Sequence, residues 1–268
     1  MRRSLHPVMN TLTLGVAVVT LTLLYVPLIV VACMSIYKPG KGFTLAAYNR
    51  LFHNEAILQA ALNTFLLASI STVIATALGT MLAIGIHRFP WGRPARAAYD
   101  LLLYLPVVTP DIIIAAALLV AFGMLKNLST LFDPGLPAMI IGHVSFQIAF
   151  VALVVQSRLA TIGRGLEEAA RDLYASTWQV LWRVTVPMLA PAIVAGAILA
   201  ITLSLDDFII SFFTHGADST TLPILIYNQV GRRKEITPEM HAVATLSVLV
   251  TVLLVIGLER LTRRDEKQ

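Results

Sequence analysis

The sequence predicts an all-α integral membrane protein with six spanning helices. Two observations carry that expectation. Only 13% of the 268 residues are charged, against about 25% in soluble domains, while 57% are hydrophobic and the mean hydropathy is +0.79. Uncharged runs also recur along the whole length, and a spanning helix needs about 20 such residues. Ser4 to Tyr37 contains no Asp, Glu, Lys or Arg, and neither do Ala56 to His87, Pro134 to Ser157, Val184 to Leu205 and Met240 to Leu258; Leu101 to Leu125 is interrupted only by Asp111. The spans are set at 8–36, 60–87, 99–125, 135–158, 188–213 and 240–260, in a single transmembrane domain over 1–268 with a polar loop at 160–187.

The first span follows Arg2-Arg3 but is longer than the core of a signal peptide, about 7–15 residues, and reads as a retained helix. The second carries Ser71, Ala75, Gly79 and Ala83 at every fourth position, and the fifth carries Ala192, Gly196, Ala200 and Ser204 likewise. Such stripes let helix backbones approach closely in lipid, either within the chain or against another membrane subunit. Pro106 and Pro110 punctuate the third span and should kink or break it. Asp111, directly after, either caps a restarted helix or lines a path. In the fourth span His143 and Gln147 stand one turn apart, placed to bond each other or a neighbouring helix. Asp206 and Asp207 end the apolar run of the fifth span. On a continuous helix they point about 100° apart, so that Asp207 continues the small-residue stripe and Asp206 faces away from it. Intramembrane carboxylates cost about 2.5–3.5 kcal/mol on insertion scales and are functional suspects by default.

Between the fourth and fifth spans lies a polar island. Leu166 to Leu173 favours a helix, with Glu167 and Glu168 in its first turn, where the helix dipole favours acids. Ser176 and Gln179 have capping-box spacing, so a second short helix should begin there, after a turn at Tyr174-Ala175, and run to about Val186. Trp178 and Trp182 share a face of it and read as packing or interface anchors. With the N terminus inside, the inner segments hold 13 Lys and Arg and the outer segments hold 7, a bias that places both termini and the island in the cytoplasm. The basic charges are scattered among loops, which excludes nucleic acid as the expected partner. The single cysteine, Cys33, excludes an intrachain disulfide or multi-cysteine metal site.

The island resembles the EAA loop of ABC importer membrane subunits. Glu168-Ala169-Ala170 supplies the E-A-A, and Val184-Thr185-Val186-Pro187, separated from Tyr174 by nine residues, supplies the apolar-x-apolar-Pro ending. The family's glycine falls on Tyr174, a departure that is either a differently built turn or a strained tyrosine that contacts the partner. The likeness extends to the spermidine/putrescine-type permeases through P-x-x-x-P-D-I-I ending at Ile113, G-H-V-S-F-x-x-A-F-V from Gly142, L-S-L-D-D-F-I-I-S-F-F from Leu203, T-T-L-P-I-L from Thr220 and T-P-E-M-H-A-V-A-T from Thr237. It implies the type I ABC importer permease fold in a bacterial inner membrane. It also implies a second permease subunit, an ABC ATPase homodimer and an extracytoplasmic solute-binding protein. On this resemblance Glu168, Ala169, Ala170, Asp172 and Tyr174 meet the ATPase. Asp111, Asp206, Asp207, Phe212 and Tyr227 are the candidates for the path of a small cation, most simply a polyamine, because carboxylates replace its water and aromatic faces add cation–π attraction. No G-x-x-x-x-G-K-[ST] occurs in the sequence, so ATP and Mg are expected on the partner and no cofactor on this chain. The rival expectations are another small amine as cargo, an opine or an aminophosphonate, and a stand-alone carrier that uses Asp111 and Asp207 as proton relays.

Overall fold

Long uncharged runs satisfy their backbone groups within themselves, and helices account for most of the described residues. The computed structural model describes residues 6–38, 42–232 and 237–265; Arg2, Arg3, Lys41, Arg233, Lys234 and Lys267, which entered the charge count, lie outside them. Helix α1 (His6–Ile36) leads into two-residue strands β1 (Tyr37–Lys38) and β2 (Gly42–Phe43), paired antiparallel, and then into α2 (Ala46–Phe52) and α3 (Glu55–Arg88). Helices α4 (Arg93–Val108), α5 (Asp111–Leu125) and α6 (Leu136–Thr161) follow. The island folds as α7 (Gly165–Asp172) and α8 (Thr177–Val180), and a π-helical turn, Leu181–Thr185, feeds α9 (Val186–Leu205). Helices α10 (Ile209–Thr214), α11 (Leu222–Arg232) and α12 (Pro238–Asp265) complete the order. Among the described residues, five helical stretches are long and apolar enough to cross a bilayer, and α4 with α5 make a sixth if counted as one bent span.

Two spans differ from the sequence expectation. The third breaks at one of its two prolines: Pro106 sits inside α4, and the break falls at Thr109–Pro110, where the two helices meet at 107°. Thr109 takes the extended conformation (ψ 131°) that a following proline imposes, and this ends α4. The fifth span, set at 188–213, is not continuous. Helix α9 stops at Leu205 and a new helix starts at Ile209, where the Asp207 carboxylate accepts the first-turn amides, as described below.

The chain forms two compact units, residues 1–58 with 226–250 and residues 59–225 with 251–268. In the first, the Ser35 hydroxyl meets Tyr48 Oη at 2.8 Å and fastens the end of α1 to α2, and an Arg50–Glu239 ion pair joins α2 to α12. The most apolar 18-residue window of the stretch Thr13–Ile36 has no buried residue within the chain. In the second, α6 is the central helix. Ala149, Val151, Ala152, Val155 and Leu159 pack against Ala83 and Ile86 of α3, Leu103 of α4, and Leu189 and Ala200 of α9.

Both small-residue stripes receive this helix. A Cβ at Gly79 would lie 2.8 Å from Val151 Cβ and 2.9 Å from the Ile148 carbonyl oxygen, and one at Gly196 would lie 3.1 Å from Val151 Cγ1. The stripes therefore serve packing inside the chain, where close approach replaces the missing hydrophobic drive. Gly79→Leu is expected to destabilise the protein by about 3 kcal/mol or more. Gly123→Leu, where no atom lies within 4 Å of the added carbon, should be tolerated. Thermal unfolding of the two variants in detergent checks the difference; equal melting temperatures would contradict this packing.

Candidate functional site

The island is a compact knob with two faces. Helical spacing puts Glu168, Ala169 and Asp172 on the outer face of α7, where all three are exposed, while Glu167 turns inward and is buried. Helix α7 ends in a Schellman arrangement: the Ala175 amide donates to the Ala170 carbonyl at 3.1 Å and the Tyr174 amide to the Arg171 carbonyl at 2.8 Å. That arrangement needs a left-handed residue, and Tyr174 takes it with φ 62°, alone among the described non-glycine residues. The turn therefore has the left-handed geometry for which glycine is the usual residue. A tyrosine there costs about 1–2 kcal/mol, and with its side chain 96% exposed nothing within the chain offsets that cost. After the turn, Ser176 and Gln179 close the expected capping box in both directions, at 3.3 and 2.8 Å. Trp178 and Trp182 touch edge to face at 5.4 Å and both remain exposed, as does Leu173. Leu173, Tyr174, Trp178 and Trp182 thus leave apolar surface exposed beside the strained turn.

The second arrangement lies at the break after α9. The amides of Ile210 and Ser211 donate to the Asp207 carboxylate at 3.3 and 2.8 Å, so Asp207 holds the first turn of α10. The same carboxylate lies 3.3 Å from Nε2 of His143, whose ring is fully buried in α6. His143 Nε2 also meets Ser211 Oγ at 3.0 Å and Nδ1 meets Ser204 Oγ at 2.8 Å, while Ser204 reaches Ser71 of α3 at 3.3 Å. An ionised carboxylate can only accept, so Nε2 carries the hydrogen shared with it. One buried network thus fastens α3, α6, α9 and α10. Gln147, one turn from His143, donates to the Ala200 carbonyl at 3.1 Å, so both residues bond neighbouring helices rather than each other.

The remaining path candidates are distributed as follows. Asp206 ends α9 and is exposed. The helix breaks there and the two carboxylates differ in burial: Asp206 is exposed, and Asp207 is largely enclosed against His143 and α10. Phe212, 38% exposed, stands with Phe208 (centroids 5.2 Å apart), Phe213 and His215 in an aromatic group on α10. Asp111 is not the cap residue of α5, a place taken by Pro110; it occupies the first turn, exposed, where the dipole favours an acid. Four residues on, Ala115 packs with Phe146 and Ile210, which brings α5 beside α10. Tyr227, on α11, belongs to the first unit and is half exposed. The network partners Ser204, Ser211 and Ser71 were not singled out as site residues. Their signal was a lone histidine in an apolar span, which needs polar partners from other helices.

Comparison with known proteins fits this geometry. Residues 75–266 match the family model described as the binding-protein-dependent transport system inner membrane component. The chain is 32% identical over 247 residues to the spermidine/putrescine transport system permease protein PotC of Haemophilus influenzae, covering 90% of this chain and 93% of the relative. It is 35% identical over 232 residues to the putrescine transport system permease protein PotI of Escherichia coli, covering 84% and 81%. Its fold superposes with TM-score 0.78 on a chain of a bacterial ABC transporter involved in the import of alginate, at 20% identity and covering 96% and 95% of the two chains. With a family match over more than half its length and relatives above 30% identity along most of it, the chain belongs to the inner membrane components of binding-protein-dependent transport systems, with the type I ABC importer permease fold.

Proposed function

We propose that this chain is the permease subunit of an ABC importer that carries small polycations of the polyamine class across the bacterial inner membrane. The observation that carries the reading is the 32–35% identity, over most of both chains, to permeases named for spermidine/putrescine and putrescine. Both termini face the cytoplasm, in keeping with the excess of Lys and Arg on that side. ATP and Mg2+ are held by a separate ATPase homodimer that grips the exposed face of α7 and Tyr174. A second permease subunit shares the path, and a solute-binding protein delivers the cargo from outside.

The chemistry of the broken fifth span supports this cargo. Asp207 is committed to its cap and to His143, so Asp206 is the carboxylate available to a passing ammonium. It sits at the C-terminal end of α9, where the dipole also favours a cation. The Phe208–Phe212 pair beside it offers ring faces to the methylene segments and the charge. Asp111, on the neighbouring α5, offers a second carboxylate for a second ammonium. Asp206→Asn in the reconstituted complex is expected to raise the KM for spermidine uptake about tenfold or more, the worth of one charge-assisted contact, with assembly unchanged. Unaltered kinetics would remove Asp206 from the path. Failure of spermidine and putrescine to be taken up by the wild-type complex would reject the cargo.

A further inference from the structure

Glu167 is the buried acid of the knob, and neither docking nor cargo gives it a task. It is 8% exposed on the inner face of α7. Its Oε1 accepts a hydrogen bond from Thr185 Oγ1 at 3.0 Å and lies 3.0 Å from Nη2 of Arg88. Arg88 is the last residue of α3, and Thr185 is the last residue of the π-helical turn that feeds α9. One carboxylate oxygen therefore joins three segments far apart in sequence. The walls around it are Leu159, Ile162, Met188 and Leu189, and such apolar surroundings strengthen an ion pair. Arg88 also completes the C-terminal end of α3, where a cation is favoured. The π turn is itself an unusual local winding that tends to mark functional positions, and it ends on the residue that reaches Glu167. The short links Ile162–Arg164 and Leu173–Ser176 join α7 to its neighbours in sequence, so the polar contact at Glu167 adds a direct tie to the ends of α3 and α9.

We propose that Arg88, Glu167 and Thr185 form a transmission joint that makes the knob move as one body with the cytoplasmic ends of α3 and α9. A push on α7 then reaches two spanning helices at once instead of being absorbed by its links. Glu167 is a positioning residue here: it touches neither nucleotide nor cargo. The proposal rests on the reading that a motor subunit meets α7.

The test uses the full importer in proteoliposomes and measures solute moved per ATP hydrolysed, a ratio that simple loss of folded complex does not change. Glu167→Gln is expected to lower that ratio about tenfold, within the range for residues that carry coupling, while the ATPase stays bound and active. Thr185→Val, which removes a single hydroxyl, should lower it less, and the swap Arg88→Glu with Glu167→Arg should recover much of it. A short thiol crosslink between cysteines at 88 and 167, placed in a chain without Cys33, should leave transport intact because the joint stays closed through the cycle. An unchanged ratio in both Glu167→Gln and Thr185→Val overturns the proposal, as does a crosslink that stops transport. If Glu167→Gln fails to assemble, Thr185→Val and the crosslink still decide. Failure of the underlying reading is seen separately, in a wild-type chain that binds no ATPase or transports without ATP.

Discussion

Asp207→Ala is expected to destabilise the protein by about 2–4 kcal/mol, the cost of leaving a buried histidine N–H and the first-turn amides of α10 without their acceptor. The His143 ring would lose its acceptor in a site with no exposure, and the first turn of α10 would lose the carboxylate that holds the Ile210 and Ser211 amides. A lost cap alone is worth about 1 kcal/mol. Against a total stability of about 5–15 kcal/mol for a typical domain, this is a large fraction and should lower the melting temperature visibly. The measurement is the yield and melting temperature of the purified complex. Asp206→Ala is the control, because its side chain is exposed at the same break and its loss should change stability by no more than about 0.5 kcal/mol. If the two variants melt alike, the assignment of Asp207 to structure and of Asp206 to cargo is wrong.

Glu168→Arg is expected to abolish ATP-driven uptake while the purified chain melts as the wild type does. Glu168 lies on the exposed face of α7 beside Ala169 and Asp172, so reversing its charge breaks nothing inside the chain. At an interface, removing one side of a buried charged contact costs about 2–5 kcal/mol, and reversal costs at least that. Tyr174→Gly separates strain from contact at the same surface. Glycine accepts φ 62° freely, so the substitution should stabilise the isolated chain by about 1 kcal/mol while weakening its association with the ATPase. Thermal shift reads the first effect and co-purification the second. Normal uptake by Glu168→Arg would remove the outer face of α7 from the interface.

The parts legible in the sequence are those set by local rules. Uncharged runs gave the spanning helices, the Ser176–Gln179 spacing gave the start of α8, and periodic small residues gave the close approach that Val151 now explains. The parts that were not legible depend on partners distant in the chain. A continuous apolar run through Leu205 gives no hint of a break, since the capping aspartate is also the partner of a histidine in another helix. Glu167 and Glu168 look alike as first-turn acids; only the positions of Arg88 and Thr185 reveal that one is buried and the other exposed. Tyr174 was visible as a departure from a glycine pattern, but its left-handed geometry needed the Schellman hydrogen bonds around it.

The most direct measurement is the sidedness of the knob. A single cysteine at position 174, in a chain with Cys33 removed, is treated with an impermeant thiol reagent in vesicles of each orientation, with and without the ATPase. Labelling confined to inside-out vesicles, and suppressed when the ATPase binds, is the expected result. Labelling from the outer face, or equal labelling whether or not the ATPase is present, would contradict the claim that the strained tip of the island is where the motor takes hold.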